Sequence, residues 1–458
     1  MKFFALTLLF VSSLGTVAAC GARTGLPLPE PCPNVSATAA QAPLDVFFLV
    51  DSSGSMTFVT ASGKTKWASI RAALDGFLHA PASDGVGVAI TFFPRIDATI
   101  PAACTTDGDC GKPGACHYPW LCLPDPNGTP CSGDSDCAMG GHCKQLKGAC
   151  LPSVSALCAT NADCTMSGDQ CQTVGACSDN SLCIPGMASC ASGACGGIGA
   201  CANHTFCDAG SYATPVQPIA SLPGAAAPIL AAFDARMPDG ATPTLPAVTG
   251  AIDAAKAWAA AHPTHEVVVI FATDGLPTLC DPAIPGDAST PEGVAHVAGA
   301  AGAGVAAGID TYVIGVFAPN EEATSPPSLN EIAMAGGTGS AFVIQTSEDV
   351  TGKLTDALTT VRERAARCTI AISSSNGAPI DLAQAHLSLK HPDGSTVALQ
   401  RFASQADCTS AGYFPAPSSD MMSGAGKVVL CSDTCTAEYA APGTMVDVVL
   451  TCDTSALF

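Results

Sequence analysis

The sequence predicts an α/β fold: a doubly wound, mostly parallel sheet, interrupted by a disulfide-rich insertion and followed by a small C-terminal antiparallel β domain. Three observations carry this expectation. Continuous apolar runs at 44–50, 86–93 and 266–272 have the Val, Ile and Phe content of strands covered on both faces. Stretches with apolar residues at helical spacing alternate with those runs, as layered α/β sheets require. Finally, 17 of the chain's 25 cysteines crowd into residues 102–213, where large apolar side chains are scarce and disulfides must supply order.

From the first residue, MKFFALTLLFVSSLGTVAAC combines a lysine, an apolar core and small residues, which reads as a secretory signal over 1–19 rather than a membrane span. Val17-Ala18-Ala19-Cys20 resembles a bacterial lipobox, which implies that Cys20 becomes the lipidated first residue of the mature chain. Ordinary signal cleavage after Ala19 fits the same residues. Setting Cys20 aside leaves an even number of cysteines, which favours lipidation. The expected location is the bacterial cell envelope, as an outer-membrane lipoprotein held to the membrane only through the lipid on Cys20, or else secretion. A net charge of −21 with 18 Lys and Arg argues against nucleic acid as a partner and against docking on anionic lipid. Residues 20–43, with five prolines and Cys32, read as a tether.

The run 44–50 then ends in Asp51-x-Ser53-x-Ser55, three oxygen-bearing side chains at alternate positions where a parallel strand leaves the sheet. Oxygen donors of this kind suit a hard divalent cation, Mg2+ before Mn2+ or Ca2+. On their own, Asp and Ser at a strand exit also serve as caps for the next helix. Residues 64–79 set Trp67, Ile70, Leu74, Phe77 and Leu78 at helical spacing, and 86–93 give a second buried strand.

There the pattern stops for the insertion, 102–213. Cys104, Cys131 and Cys158 are spaced by 27 residues, and each opens a Cys-x5-Cys step with Asp109, Asp136 or Asp163 just before the second cysteine. Units close on Cys122-Leu-Pro, Cys150-Leu-Pro and Cys183-Ile-Pro, with a degenerate fourth unit from Cys190 to Cys207. Cys177 is left over, and Cys280 is its expected partner. Zinc is disfavoured because paired Cys-x2-Cys ligand steps are missing, and the acidic loops lack the spacing of a calcium loop.

The layered pattern resumes with helices at 225–233 and 244–261, the latter entered through Gly240-x-Thr242-Pro243. A strand at 266–275 ends in Thr273-Asp274-Gly275. Asp-x-Ser-x-Ser, a Thr in a Gly-x-Thr-Pro turn and a strand ending Thr-Asp-Gly together resemble the von Willebrand factor A family, whose sheet is Rossmann-like. The resemblance implies a metal-ion-dependent adhesion site. Ser53 and Ser55 would hold the ion directly, Thr242 directly or through water, and Asp51 and Asp274 mostly through water. One coordination position would stay open for a carboxylate on a partner, an unidentified protein or envelope ligand. If the insertion covers the site, an insert carboxylate such as Asp107 or Asp134 would be the internal donor to that position. The resembling domain is expected over 44–101 plus 214–367.

A helix at 291–308, strands at 310–317 and 340–345, a short helix around Leu329 to Met334 and a last helix at 348–366 complete that domain. Domain ends commonly lie close together, so a Cys32–Cys368 bridge is expected to clasp them. Residues 368–458 show period-two patterning with a Pro392-Asp393-Gly394 turn, hence the β domain; Cys408 with Cys431 and Cys435 with Cys452 would complete it, although spacing alone does not settle the pairing inside that quartet. None of the nine histidines falls in a nucleophile, base and orienter arrangement, and there is no phosphate-binding Gly-x4-Gly-Lys loop. A cation-dependent binding or adhesion protein, not an enzyme, is therefore expected. The alternative is a structural envelope component in which the ion only stabilises the fold.

Overall fold

The computed structural model describes residues 37–111, 114–118, 120–123, 131, 134, 137, 141–153, 156–177, 182–184, 190, 195–201, 204–284, 288–317, 325–374, 382, 385–416, 425–439 and 443–450. The signal, Cys20, Cys32, Asp136 and Cys452 lie outside them.

Elements in chain order are β1 (Ala37–Gln41), β2 (Leu44–Asp51), α1 (Lys66–Leu78) and β3 (Gly87–Phe93) before the insertion. After it come β4 (Gln217–Ser221), α2 (Ala226–Asp234), α3 (Thr244–Ala261), β5 (Glu266–Thr273), α4 (Pro291–Ala306), β6 (Asp310–Phe317), α5 (Ser325–Ala335), β7 (Phe342–Gln345) and α6 (Val350–Arg367). The C-terminal part holds β8 (Thr369–Ser374), β9 (Ala385–Lys390), β10 (Thr396–Ala398), β11 (Gln400–Arg401), β12 (Gly412–Pro415), β13 (Ala425–Leu430) and β14 (Met445–Leu450).

The protein is mixed α/β. Its largest sheet runs β4-β3-β2-β5-β6-β7, with β4 antiparallel to β3 and every other neighbouring pair parallel. Alternate residues of a strand face opposite sides. Val46, Phe48 and Val50 of β2 therefore join Ile70, Leu74 and Leu358 in one core, while Phe47 and Leu49 join Val248, Ile252 and Val297 in the other. Burial on both faces is why the strands read as unbroken apolar runs. The edge strand β4 alternates partly buried and exposed residues and carried no such signal.

β1, which the sequence presented as tether, is the edge strand of a second sheet, β1-β8-β13-β12-β11. It runs antiparallel to β8 with Gln41 opposite Ile370, and Ala42 donates its N–H to the Thr369 carbonyl at 2.9 Å. Chain segments before and after the large sheet thus meet through a hydrogen-bonded ladder. Cys368, expected to bridge to Cys32, is bonded to Cys435 instead. It packs against the β-domain core, where Cys435 is fully buried, so its sulfur is taken up inside that core. Cys408 pairs with Cys431 as expected, whereas Cys435, expected to take Cys452, is held by Cys368. A third sheet, β10-β9-β14, faces the second, with Ile370, Ile372, Leu387, Leu389, Tyr413 and Val428 between them.

Between β3 and β4 the cysteines follow a rule that differs from the sequence expectation. Cys177 pairs with Cys190 rather than Cys280, and Cys207 takes Cys280. Four units of four cysteines result, opening at Cys104, Cys131, Cys158 and Cys183. Within each unit the first cysteine bonds the third, giving Cys104–Cys116, Cys131–Cys143, Cys158–Cys171 and Cys183–Cys195. The fourth bonds the second of the next unit: Cys122–Cys137, Cys150–Cys164 and Cys177–Cys190. Cys201, closing the last unit, bonds Cys110 of the first, so the repeats form a closed ring. The acids of the repeats are used locally. Asp109 and Asp163 accept backbone N–H groups of the turns they close. Asp107, Asp134 and Asn161 each accept the N–H of their unit's third cysteine at 2.7–2.8 Å.

Candidate functional site

The site lies where β2 and β5 end. These strands pair in parallel with Val50 opposite Ala272, so Asp51 and Asp274 emerge from neighbouring strands at the same end of the sheet. Both carboxylates are buried, at 0% and 2% exposure. Asp51 Oδ1 accepts the Ser53 N–H at 2.8 Å and its Oδ2 accepts the Thr273 hydroxyl at 2.7 Å. The short turn after the strand brings Ser53 Oγ within 3.1 Å of Ser55 Oγ, and Ser55 Oγ donates to Asp274 Oδ1 at 2.8 Å. Two hydroxyls and two carboxylates therefore form one connected cluster.

Thr242 arrives from the turn that opens α3. Gly240 holds φ +83°, which favours glycine, and its carbonyl accepts the Gly54 N–H at 2.9 Å, tying this turn to the Ser53–Ser55 loop. Asp239 N–H reaches the Ser52 carbonyl at 2.8 Å beside it. Thr242 is buried, its N–H donates to Thr278 Oγ1 at 2.8 Å, and its hydroxyl oxygen lies next to Gly275. All five residues singled out in the sequence, Asp51, Ser53, Ser55, Thr242 and Asp274, are brought to one end of the sheet.

Sequence reasoning missed Lys66. It opens α1, yet it is buried, and its Nζ lies 3.0 Å from Asp274 Oδ2. The exposed Phe58 ring is 5.9 Å from the same nitrogen. A lysine opening a helix, where a cation opposes the macrodipole, was the available signal.

Electrostatically the cluster is short of positive charge. Burial, and then repulsion from Asp274, push the Asp51 carboxyl from 3.8 up to about 7. Lys66 compensates one of two buried acids. The donors are all oxygens, and their summed charge and hardness fit a hard divalent cation such as Mg2+ or Mn2+ better than a thiolate- or imidazole-preferring metal. Cysteine triplets do cluster elsewhere among the described residues, but the thiols of each are in disulfides.

The insertion is rooted beside this site. Phe93, the last residue of β3, pairs with Asp51 in register, and its carbonyl accepts both the N–H and the hydroxyl of Ser52, at 2.6 and 2.9 Å. Arg236 bridges Ser52 Oγ and the Pro94 carbonyl. The loop after Asp274 is pinned three times: Thr278 to Thr242, Cys280 to Cys207 of the insertion, and Asp281 to His296 at 2.6 Å.

No family model and no curated protein matches the chain. Among solved structures it is similar to the pilus adhesin SpaC from Lactobacillus rhamnosus GG, at 13% identity over 90% of this chain with a TM-score of 0.35. The chain spans 40% of that adhesin's length. It is also similar to the adhesive tip pilin GBS104 from Group B Streptococcus agalactiae (13% identity, 91% of this chain and 81% of the other, TM-score 0.32). A third likeness is to a von Willebrand factor type A protein from Catenulispora acidiphila (9% identity, 91% and 60%, TM-score 0.29). No helix among the described residues is long and apolar enough to cross a membrane.

Proposed function

We propose that the chain is an exported binding protein of adhesion type, built on a doubly wound sheet of the von Willebrand factor A kind. Its metal face captures an acidic group of a protein or envelope partner. Asp51, Ser53, Ser55, Thr242 and Asp274 would hold Mg2+, or Mn2+ or Ca2+ in its place. The ion supplies a Lewis-acidic position for a partner's carboxylate, and the chain's residues orient it: Ser53 and Ser55 through their hydroxyls, Asp51 by fixing the Ser53 backbone, Thr242 from the opposite turn. The observation that carries the reading is the linked set of buried acids and hydroxyls, which leaves negative charge for a cation to offset. Attachment through a lipid on Cys20 and the division into 44–101 plus 214–367, 102–213 and 368–458 belong to the same proposal. The second reading, a structural envelope protein stapled by its ion, is favoured by the buried links that already knit the site's loops together.

Binding of the full chain to native envelope extract with Mg2+, with chelator, and in Asp51→Ala separates the two. The adhesion reading predicts binding that falls at least about tenfold with chelator and in the variant, while circular dichroism shows the variant folded. Binding of equal strength in all three conditions points to the structural role instead.

A further inference from the structure

Lys66 stands in a place that is electrostatically unfavourable on two counts. It is 2% exposed, and burying an ammonium costs several kcal/mol. It is also the first residue of α1, where the helix macrodipole repels cations. Helix capping does not need it: Thr65 already accepts the Ala68 N–H at 3.1 Å. Asp274 Oδ2, at 3.0 Å, is the acid placed to offset both penalties.

That same Asp274 uses its other oxygen, Oδ1, to accept the Ser55 hydroxyl at 2.8 Å. One carboxylate thus joins the ammonium to the hydroxyl pair that would face a metal. We propose that Lys66 is the internal counter-cation of this site and sets its affinity for divalent ions. The proposal rests on the metal reading above. With no divalent ion bound, Lys66 offsets the Asp274 carboxylate and holds it in position. When an ion binds among the hydroxyls, the fixed ammonium repels it across a poorly screened interior. The site is thereby tuned to weak, readily reversible occupancy, so partner capture follows the free divalent-ion concentration outside the cell. Removing the charge should leave Asp274 oriented, because the Ser55 hydroxyl still holds it.

The test is titration of the full chain with Mg2+ and with Mn2+ alone, by calorimetry and by the cation-induced shift in Tm, for wild type, Lys66→Met and Lys66→Arg. Lys66→Met should bind both ions at least about tenfold more tightly, the equivalent of about 1.4 kcal/mol. Its Tm should fall in chelator, where Asp274 has lost the Lys66 ammonium, and rise further than wild type's with Mg2+. Lys66→Arg, which keeps the charge, should stay within about threefold of wild type. Equal or weaker binding by Lys66→Met, with wild type binding normally, overturns the role of Lys66 alone. If none of the three proteins binds either ion, the metal reading falls with it.

Discussion

Asp51 concentrates the cost of the site in one side chain. Its carboxyl is pushed from 3.8 up to about 7, first by burial and then by the neighbouring Asp274. A carboxyl whose folded value is raised binds protons that the unfolded chain releases, so its contribution to stability is complete below about pH 4 and is lost as pH rises through about 7. For metal-free protein we expect thermal stability to fall between those limits, and added Mg2+ to flatten the fall, because a divalent ion takes over the compensation the proton provides. Asp51→Asn should show a shallower fall without Mg2+ and little response to it. Differential scanning fluorimetry from pH 4 to 8, with and without Mg2+, checks both. A wild-type profile unchanged by Mg2+ would count against the compensation.

At the scale of elements, the insertion is held by topology as much as by contact. Cys110–Cys201 joins residues 91 apart and turns four chained repeats into a ring. In the chain-entropy model a loop of that length is worth about 4–5 kcal/mol, less here because inner disulfides already shorten the free chain. Replacing both cysteines by alanine should leave the large sheet folded and make 102–213 the first segment cut in limited proteolysis, read by mass spectrometry. Cleavage at the wild-type rate would mean the ring adds nothing. The sequence made the repeats legible through their 27-residue spacing, but not their phase. Assigning Cys183 to the end of the third unit left Cys177 unpaired, whereas the bonds show Cys177 closing that unit and Cys183 opening the next. Spacing cannot choose among pairings, and the closeness of domain ends, which points Cys368 to Cys32, carries no information on the β-domain core where Cys368 meets Cys435. Buried strands such as β2 and β5 announced themselves because both faces are covered. β1 and β4 did not, since edge strands reading Ala-Thr-Ala-Ala-Gln and Gln-Pro-Ile-Ala-Ser have little apolar pattern to read. Lys66 was hidden for another reason: its partner Asp274 lies more than two hundred residues away.

Across the whole molecule, function-bearing features separate toward two poles. The acids, hydroxyls, Lys66 and the root of the insertion gather where β2, β3 and β5 end. The N-terminal strand and the β domain gather where β2 and β5 begin. There Lys427, buried, pairs with Glu266 at 2.9 Å and donates to the His265 carbonyl at 2.9 Å. Eight residues of β2 at about 3.3 Å each put these poles ~25 Å apart. The acidic site and the strand that leads into β2 therefore lie at opposite ends of the large sheet, with the root of the insertion beside the site. The binding role proposed for that pole depends on an ion there. Crystals soaked in Mn2+ and measured at the manganese absorption edge test this most directly. We predict one strong anomalous peak bounded by Ser53, Ser55, Thr242 and Asp274, absent from Asp274→Ala crystals. Crystals that show no peak there, or a peak indifferent to that substitution, would contradict the account.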